Sequence, residues 1–452
     1  MRLYQPDSTI AALATAPGEG AIAVLRISGP RAFPIAASIF SGPLLRYASH
    51  TAHQGNILNA DGSVLDSVLL LVMKGPRSYT GEDTVEISCH GGSLISRRVL
   101  ERIFEAGARP AEPGEFSLRA FLNGKLDLAQ AEAVQQLIAA KSELALESAA
   151  QQLAGALSNT IRAFQQELTS IAAILEAWVD FPEEGLEFAA FDELIARLSQ
   201  ILGRMEKLRD TFHEGKLLHE GIRLCLLGAP NVGKSSLMNA LLGKERAIVT
   251  DVAGTTRDVL EDDLRLSGLN VKLLDTAGIR DTDELVEREG IRRSRLAMHE
   301  ADVILLLLDA SRGVCPEDLA LLDTVPKHKT VLVWNKIDVA MPPTIDWSPQ
   351  VSISAKERTG LDALKASIDH LLWKNGPPSK EEVGITSLRH FNALKNASCA
   401  LAAVIAGLEK RVSAEFVASD MRHALNELST ILGTNVTEDI LTSIFSQFCL
   451  GK

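Results

Sequence analysis

The sequence predicts a chain of α/β and all-α parts. It has an N-terminal mixed α/β domain, a discontinuous helical bundle, and a phosphate-loop domain with a doubly wound, mostly parallel sheet inserted into that bundle. Three observations carry this. Strand-length apolar runs alternate with helical spacing over residues 217–376, as in a doubly wound sheet. Apolar stripes at helical spacing flank that region on both sides, those before it in heptads. Residues 1–118 instead mix short β-type runs with glycine and proline punctuation. The expected domains are 1–118, 119–216, 217–376 and 377–452.

In the first domain, Ile22–Ile27, Val68–Val72 and Val85–Ser88 read as strands, and Ser93–Ala106 as a helix. Three segments set charged groups beside glycine turns, as binding loops do: Ala16–Arg26, Ser78–Asp83 and Pro113–Lys125. Cys89-His90 has no third ligand nearby, so a structural role is expected. From Leu126 to His213 the pattern is helical. Leu157, Ile161, Phe164, Leu168, Ile171, Leu175 and Trp178 form one stripe; Phe191, Leu194, Leu198, Ile201, Met205, Leu208 and Phe212 form another. Pro182 separates them, which predicts an antiparallel pair. The α/β region has expected strands at Ile222–Leu227, Val259–Leu266, Val271–Asp275, Val303–Asp309, Thr330–Trp334 and Val351–Ser354. Beyond Gly376-Pro-Pro378, helical spacing returns through Phe391, Leu394, Leu401, Ile405, Leu408 and Val412 and again through Val417, Met421, Leu425, Leu428 and Leu432.

Gly228-Ala-Pro-Asn-Val-Gly-Lys-Ser-Ser236 fits the phosphate-loop pattern between a strand and a helix. Its glycines let successive N–H groups face phosphate oxygens, and the helix adds its positive end. Asn231, Val232, Gly233, Lys234, Ser235 and Ser236 are the expected contacts. Lys234 supplies a cation for the outer phosphates, and the Ser235 hydroxyl is suited to Mg²⁺. Asp275, Thr276, Ala277 and Gly278 form D-x-x-G, whose carboxylate supports Mg²⁺ and whose Gly N–H meets a γ-phosphate. Asn335-Lys336-Ile-Asp338 fits N-K-x-D. The Asp338 carboxylate accepts both N–H groups on the guanine edge, and adenine would leave it unpaired. Ser354-Ala355-Lys356 matches the third guanine loop. These motifs in this order predict GTP binding and hydrolysis. Ile279 follows D-T-A-G where many regulatory GTPases have the glutamine that orients water. Another group must do that work, and Arg257, Arg280, Glu284, Glu287 and Glu289 are the candidates.

The 452 residues, 46% hydrophobic, suffice for several cores. A net charge of −12 gives no bulk attraction to nucleic acid, so any RNA contact needs a local basic patch. Five scattered cysteines without C-x-x-C suggest neither disulfides nor zinc, and suit a reducing cytoplasm. The apolar run Val303–Leu308 is too short to span a membrane, and no signal peptide is evident.

Together with S-Y-T-G-E-D at 78–83, P-G-E-F-S-L-R-A-F-L-N-G-K at 113–125, G-T-T-R-D at 254–258 and Cys449-Leu-Gly-Lys452, these motifs resemble the MnmE (TrmE) family over the whole length. Leu450 stands where the family usually has Ile. The resemblance implies a cytoplasmic homodimer that modifies carbon 5 of the wobble uridine of certain tRNAs. It does so with the flavoprotein MnmG (GidA) and a one-carbon unit from 5-formyl- or methylene-tetrahydrofolate. It implies that Arg26, Glu82, Lys125 and Lys452 contact folate and that Cys449 is needed for modification. It also implies that Thr250, Asp251, Val252, Ala253, Gly254, Thr255 and Thr256 line the GTP site, with Thr256 on Mg²⁺. Asn231, with oxygens near Thr250, Val252 and Thr255, would bind K⁺, and Glu287 would orient the water. The rival readings are a ribosome-assembly GTPase, which often appends an RNA-binding module, and a membrane-remodelling GTPase. Residues 379–452 show helices and no such module.

Overall fold

The computed structural model describes residues 7–180, 191–242, 264–266, 269–274, 296–373, 384–448 and 451. The chain divides into two compact units. One is Met1–Ile138 with Gln152–Leu198 and Cys399–Lys452; the other is Ala139–Gln151 with Ser199–Ser398.

In the first unit, β1 (Ile10–Leu13), β2 (Ile22–Ser28), β3 (Thr51–Leu58), β4 (Val64–Met73), β5 (Thr84–His90) and β6 (Arg109–Pro110) form a sheet ordered β3-β4-β5-β2-β1-β6. Neighbours are antiparallel except β1 and β6. In β4, Val68, Leu70 and Val72 are buried while Ser67 and Leu69 are exposed, the two-residue period of a strand with one covered face. These residues join Leu25 and Ile27 of β2 and Val85, Ile87 and Cys89 of β5 beneath α1 (Ala32–Ile39) and α2 (Ser93–Glu105). Cys89 is thus a core residue, and His90 turns outward to place Nδ1 2.7 Å from Asp66 Oδ1. The same alternation puts Arg26, between Leu25 and Ile27, on the opposite face. There Ile10 and Ala12 pack with Phe116 of α3 (Glu115–Leu122).

After α4 (Leu128–Ala139) and α5 (Glu143–Leu153), the first heptad stripe forms α6 (Ala156–Asp180). Leu157, Ile161, Phe164, Leu168, Ile171 and Leu175 are buried as the spacing requires. The second stripe begins α7 (Phe191–Asp210), and Phe191 stacks on Trp178 at 4.8 Å, which fits an antiparallel pair. Within the same unit, α6 packs on the helix Ala414–Leu432, far along the chain. Gln165 Nε2 donates to Ser429 Oγ at 2.9 Å, and Arg422 pairs with Glu176. On that helix Ala424 is buried and Leu425 only partly so, a shift of one position from the expected stripe. The helix Glu438–Phe445 then brings Phe445 and Phe448 against Leu118, Leu128 and Ala131.

In the second unit, after α8 (Phe212–Glu220), strands β7 (Ile222–Leu227), β8 (Leu264–Leu266), β9 (Leu269–Leu274), β10 (Val303–Asp309), β11 (Thr330–Asn335) and β12 (Gln350–Ser352) are ordered β12-β11-β10-β7-β9-β8. All pairs are parallel except β8 with β9. Every residue of β10 is buried, because a central parallel strand is covered on both faces. Val303, Leu305 and Leu307 face one core and Ile304, Leu306 and Leu308 the other. One helix among the described residues, Leu388–Glu409, is long and apolar enough to cross a membrane. Leu394, Ala397, Leu401, Val404 and Leu408 are buried in protein.

Candidate nucleotide and one-carbon sites

The phosphate loop runs from the end of β7 to α9 (Lys234–Leu242). Gly228 has φ +143° and Gly233 φ +99°, where a side chain is strained, and Asn231 at +63° is also left-handed. A Cβ on Gly228 would lie 2.4 Å from Leu307 O, and one on Gly233 would lie 2.2 Å from Asn335 Nδ2. Glycine at both positions therefore lets the loop pack directly on β10 and on Asn335. Lys234 Nζ rests on the loop's own carbonyls, 2.7 Å from Gly228 O and 3.0 Å from Ala229 O. Ser235 and Ser236 are exposed in the first turn of α9.

Buried Asn335 ties the three loops together. Its Nδ2 donates to Val232 O at 2.8 Å, and its Oδ1 accepts from Ala355 N at 3.0 Å. Lys336 Nζ donates to Asn231 O at 2.9 Å and to Asp309 Oδ2 at 2.6 Å. Burial pushes the Asp309 carboxyl up, but hydrogen bonds from Lys336 and Ser311 outweigh it and leave it below its usual value. Asp338 is exposed, and a hydrogen bond from the buried Ser354 hydroxyl holds its carboxyl low and ionised. Lys356 is exposed beside Glu357. Asp309 was not foreseen; its signal was an acid at the carboxyl end of a buried parallel strand, followed by Ala-Ser.

β9 ends at Leu274, the residue before Asp275, and pairs there with Cys225 of β7. Thr250, Asp251, Val252, Ala253, Gly254, Thr255, Thr256 and Arg257 lie outside the described residues. So do Asp275, Thr276, Ala277, Gly278, Glu287, Cys449 and Lys452.

In the first unit the second and third glycine-flanked segments lock together, and Arg26 from the first joins them. Arg26 Nε donates to Glu86 at 2.8 Å, and its guanidinium lies 5.4 Å from the Tyr79 ring centre and 5.6 Å from that of Phe116. Its Nη1 is buried without a hydrogen-bond partner in the structure. Such a donor fits a ligand acceptor, since leaving it unpaired costs about 1–3 kcal/mol. Both Glu82 oxygens accept from Arg119 Nη1, at 3.0 and 3.1 Å, and Ser28 Oγ donates to Oε2 at 2.8 Å. Asn123 Nδ2 donates to Thr80 O at 2.7 Å, and the exposed Lys125 donates to Pro76 O at 3.1 Å. Gly451, at φ +91°, lies against β1, where a Cβ would lie 2.3 Å from Leu13 O. Tyr79, Phe116 and Arg119 went unremarked in the sequence, although Glu115 and Arg119 are four residues apart on one helix face.

The family profile described as "MnmE helical domain" matches residues 128–449, and "GTP-binding protein TrmE N-terminus" matches 9–125. A protein of Protochlamydia amoebophila called "tRNA modification GTPase MnmE" is 59% identical over 99% of this chain and 98% of its own. Those of Clostridioides difficile and Chlamydia trachomatis with the same name are 42% and 44% identical, each over 99% of both chains. Among solved structures, Era in complex with MgGDPNP and a piece of 16S ribosomal RNA is 28% identical, with a TM-score of 0.27, over 40% of this chain and 66% of that one.

Proposed function

The chain belongs to the MnmE family of tRNA modification GTPases, and from that premise we propose that it uses GTP turnover to drive one-carbon modification of the wobble uridine. GTP hydrolysis in tRNA modification is the family's activity. Beyond it, the proposed reaction adds a carboxymethylaminomethyl group to carbon 5 of the base, in the cytoplasm, with a flavin-dependent MnmG partner and a homodimeric assembly. The proposed domain limits stay near residues 118, 216 and 376.

Lys234 and the loop N–H groups hold the phosphates, Asp338 reads the guanine edge, and Ser235 with Thr256 would hold Mg²⁺. Asn231 with oxygens of Thr250, Val252 and Thr255 would hold K⁺. Bound cations supply positive charge where the transferring phosphoryl group spreads its negative charge. Ile279 cannot orient water, so Glu287 is assigned that role.

One observation carries the one-carbon half of this reading: the buried, unpartnered Nη1 of Arg26, whose guanidinium lies over the rings of Tyr79 and Phe116. A tetrahydrofolate offers acceptors for the guanidinium and ring N–H donors for the carboxylate. Lys125 and Lys452 would meet its anionic tail, and Cys449 would act near the same place. Mass spectrometry of wobble uridine in tRNA from cells lacking the protein tests the whole reading. Loss of the carboxymethylaminomethyl group is expected, and unchanged tRNA with defective ribosome assembly would overturn it.

A further inference from the structure

Alternating charges run from Arg109 through Glu115 and Arg119 to Glu82. Arg109 grips Glu115 with two bonds, at 2.8 and 2.5 Å, and the Glu112 N–H adds a third at 3.0 Å. Burial works to raise the Glu115 carboxyl, but these bonds and Arg119 hold it below its usual value. Glu115 Oε1 accepts from Arg119 Nη2 at 3.0 Å. Ser8 fixes the same guanidinium, its carbonyl 2.9 Å from Nη1 and its hydroxyl 3.0 Å from Nη2. Glu115 and Arg119 are both 0% exposed, whereas the Glu82 side chain is 14% exposed.

We propose that Arg119 is a positioning residue that presents Glu82 to the N–H edge of a heterocyclic ligand. This rests on the folate reading above and adds a residue that touches no ligand itself. A carboxylate has about four acceptor positions. Arg119 and Ser28 take three of those on Glu82. The remaining position lies on Oε1, which accepts one bond where Oε2 accepts two. The orientation of that oxygen is set by a guanidinium that is itself gripped by Ser8 and Glu115, so the carboxylate cannot rotate to follow a poorly fitting ligand. Arg109 pairs with Glu115 and Arg119 with Glu82, so the four groups carry no net charge and what Glu82 offers the ligand is a fixed acceptor. Besides the Phe116 ring, α3 therefore supplies rigid placement of Glu82, and the ligand class this suits is a planar ring with an N–H donor on its edge.

The test is a double-mutant cycle on the full chain, read by calorimetric titration with 5-formyltetrahydrofolate, with circular dichroism to show that each variant is folded. Arg119→Met should weaken binding about 30-fold, the scale of losing a charged hydrogen-bonded partner. Glu82→Gln should do the same. The double variant should lose no more than about twofold beyond Glu82→Gln alone, because the two act as one unit. Arg119→Lys, which keeps the cation, should recover binding to within about tenfold of wild type. That loss should vanish in the Glu82→Gln background, and this arm remains decisive if the Met variant fails to fold. Additive losses, or near-wild-type binding by folded Arg119→Met, would overturn the inference alone. Wild-type protein that does not bind 5-formyltetrahydrofolate would overturn the folate reading and this inference with it.

Discussion

Asp338 is held ready by its neighbours rather than by burial. The Ser354 hydroxyl keeps its carboxylate ionised at the surface, with Lys356 and Lys336 adding to the effect. The expectation is that Asp338→Asn weakens GTP binding and favours xanthosine triphosphate, whose ring carries an acceptor where guanine has its amino group; competition between the two nucleotides measures this, and full retained GTP affinity would refute the base-reading role. Thiols give a second residue-level prediction. Burial pushes Cys89 and Cys225 up to about 11. The shift favours the neutral thiol, so at pH 8 about one molecule in a thousand carries a thiolate at either site. Iodoacetamide should label exposed Cys399 and spare these two in the native protein, with their labelling rising as pH nears 11. Rapid modification of Cys225 at pH 8 would contradict the burial. The motif residues were legible because phosphate and guanine chemistry demand fixed types at fixed spacings. Asp309 and Arg119 were not, since each acquires its role from a partner 27 or 37 residues away that only the fold brings near.

At the scale of elements, legibility followed coverage. β7 and β10 begin and end where expected, β10 being buried at every residue and β7 at every residue but Arg223. β3 escaped the sequence reading because it is an edge strand with a polar, glycine-broken run. Gly55 is needed there, since a Cβ would lie 2.3 Å from the Phe40 ring. β1 was missed because Ile10-Ala-Ala-Leu13 is short and alanine-rich. The chain end shows an element whose seat depends on one residue. Phe445 and Phe448 anchor the final helix beside α3 and α4, and Gly451 then lies against Leu13 O. Alanine at 451 is strained by a left-handed φ and blocked by that carbonyl. Gly451→Ala should therefore displace position 451 from β1 while the phenylalanine anchor holds the helix. Amide exchange of β1 should quicken about tenfold, near 1.4 kcal/mol of lost seating, with the thermal midpoint little changed. An unchanged exchange rate would mean that residue 451 does not brace β1.

For the whole molecule, helices from distant parts of the sequence close one unit, so the apolar helical stripes before and after the α/β region were legible as a discontinuous bundle, through α6 and the helix Ala414–Leu432. What no stripe or motif disclosed was how the nucleotide site makes up for Ile279. Potassium is the proposed answer. Asn231 stands exposed at the rim of the loop in a left-handed conformation, its carbonyl bound by Lys336. That leaves its side-chain oxygen as the donor available to a cation. A hard monovalent ion needs several oxygens at once, and a shell of backbone carbonyls has a spacing that suits one ion radius better than another. Sodium, being smaller, would be held too loosely to shed its water, whereas potassium would place its charge against the transferring phosphoryl group. GTP turnover should therefore rise at least tenfold, about 1.4 kcal/mol in barrier, when K⁺ replaces Na⁺ at equal ionic strength. Asn231→Ala should abolish that difference while keeping the slow sodium rate. Glu287→Ala should lower turnover in K⁺ with GTP affinity nearly intact, as for a group acting in the transition state. Phosphate release measured in both salts decides the matter, because equal rates in Na⁺ and K⁺ would leave the cation no part in the chemistry.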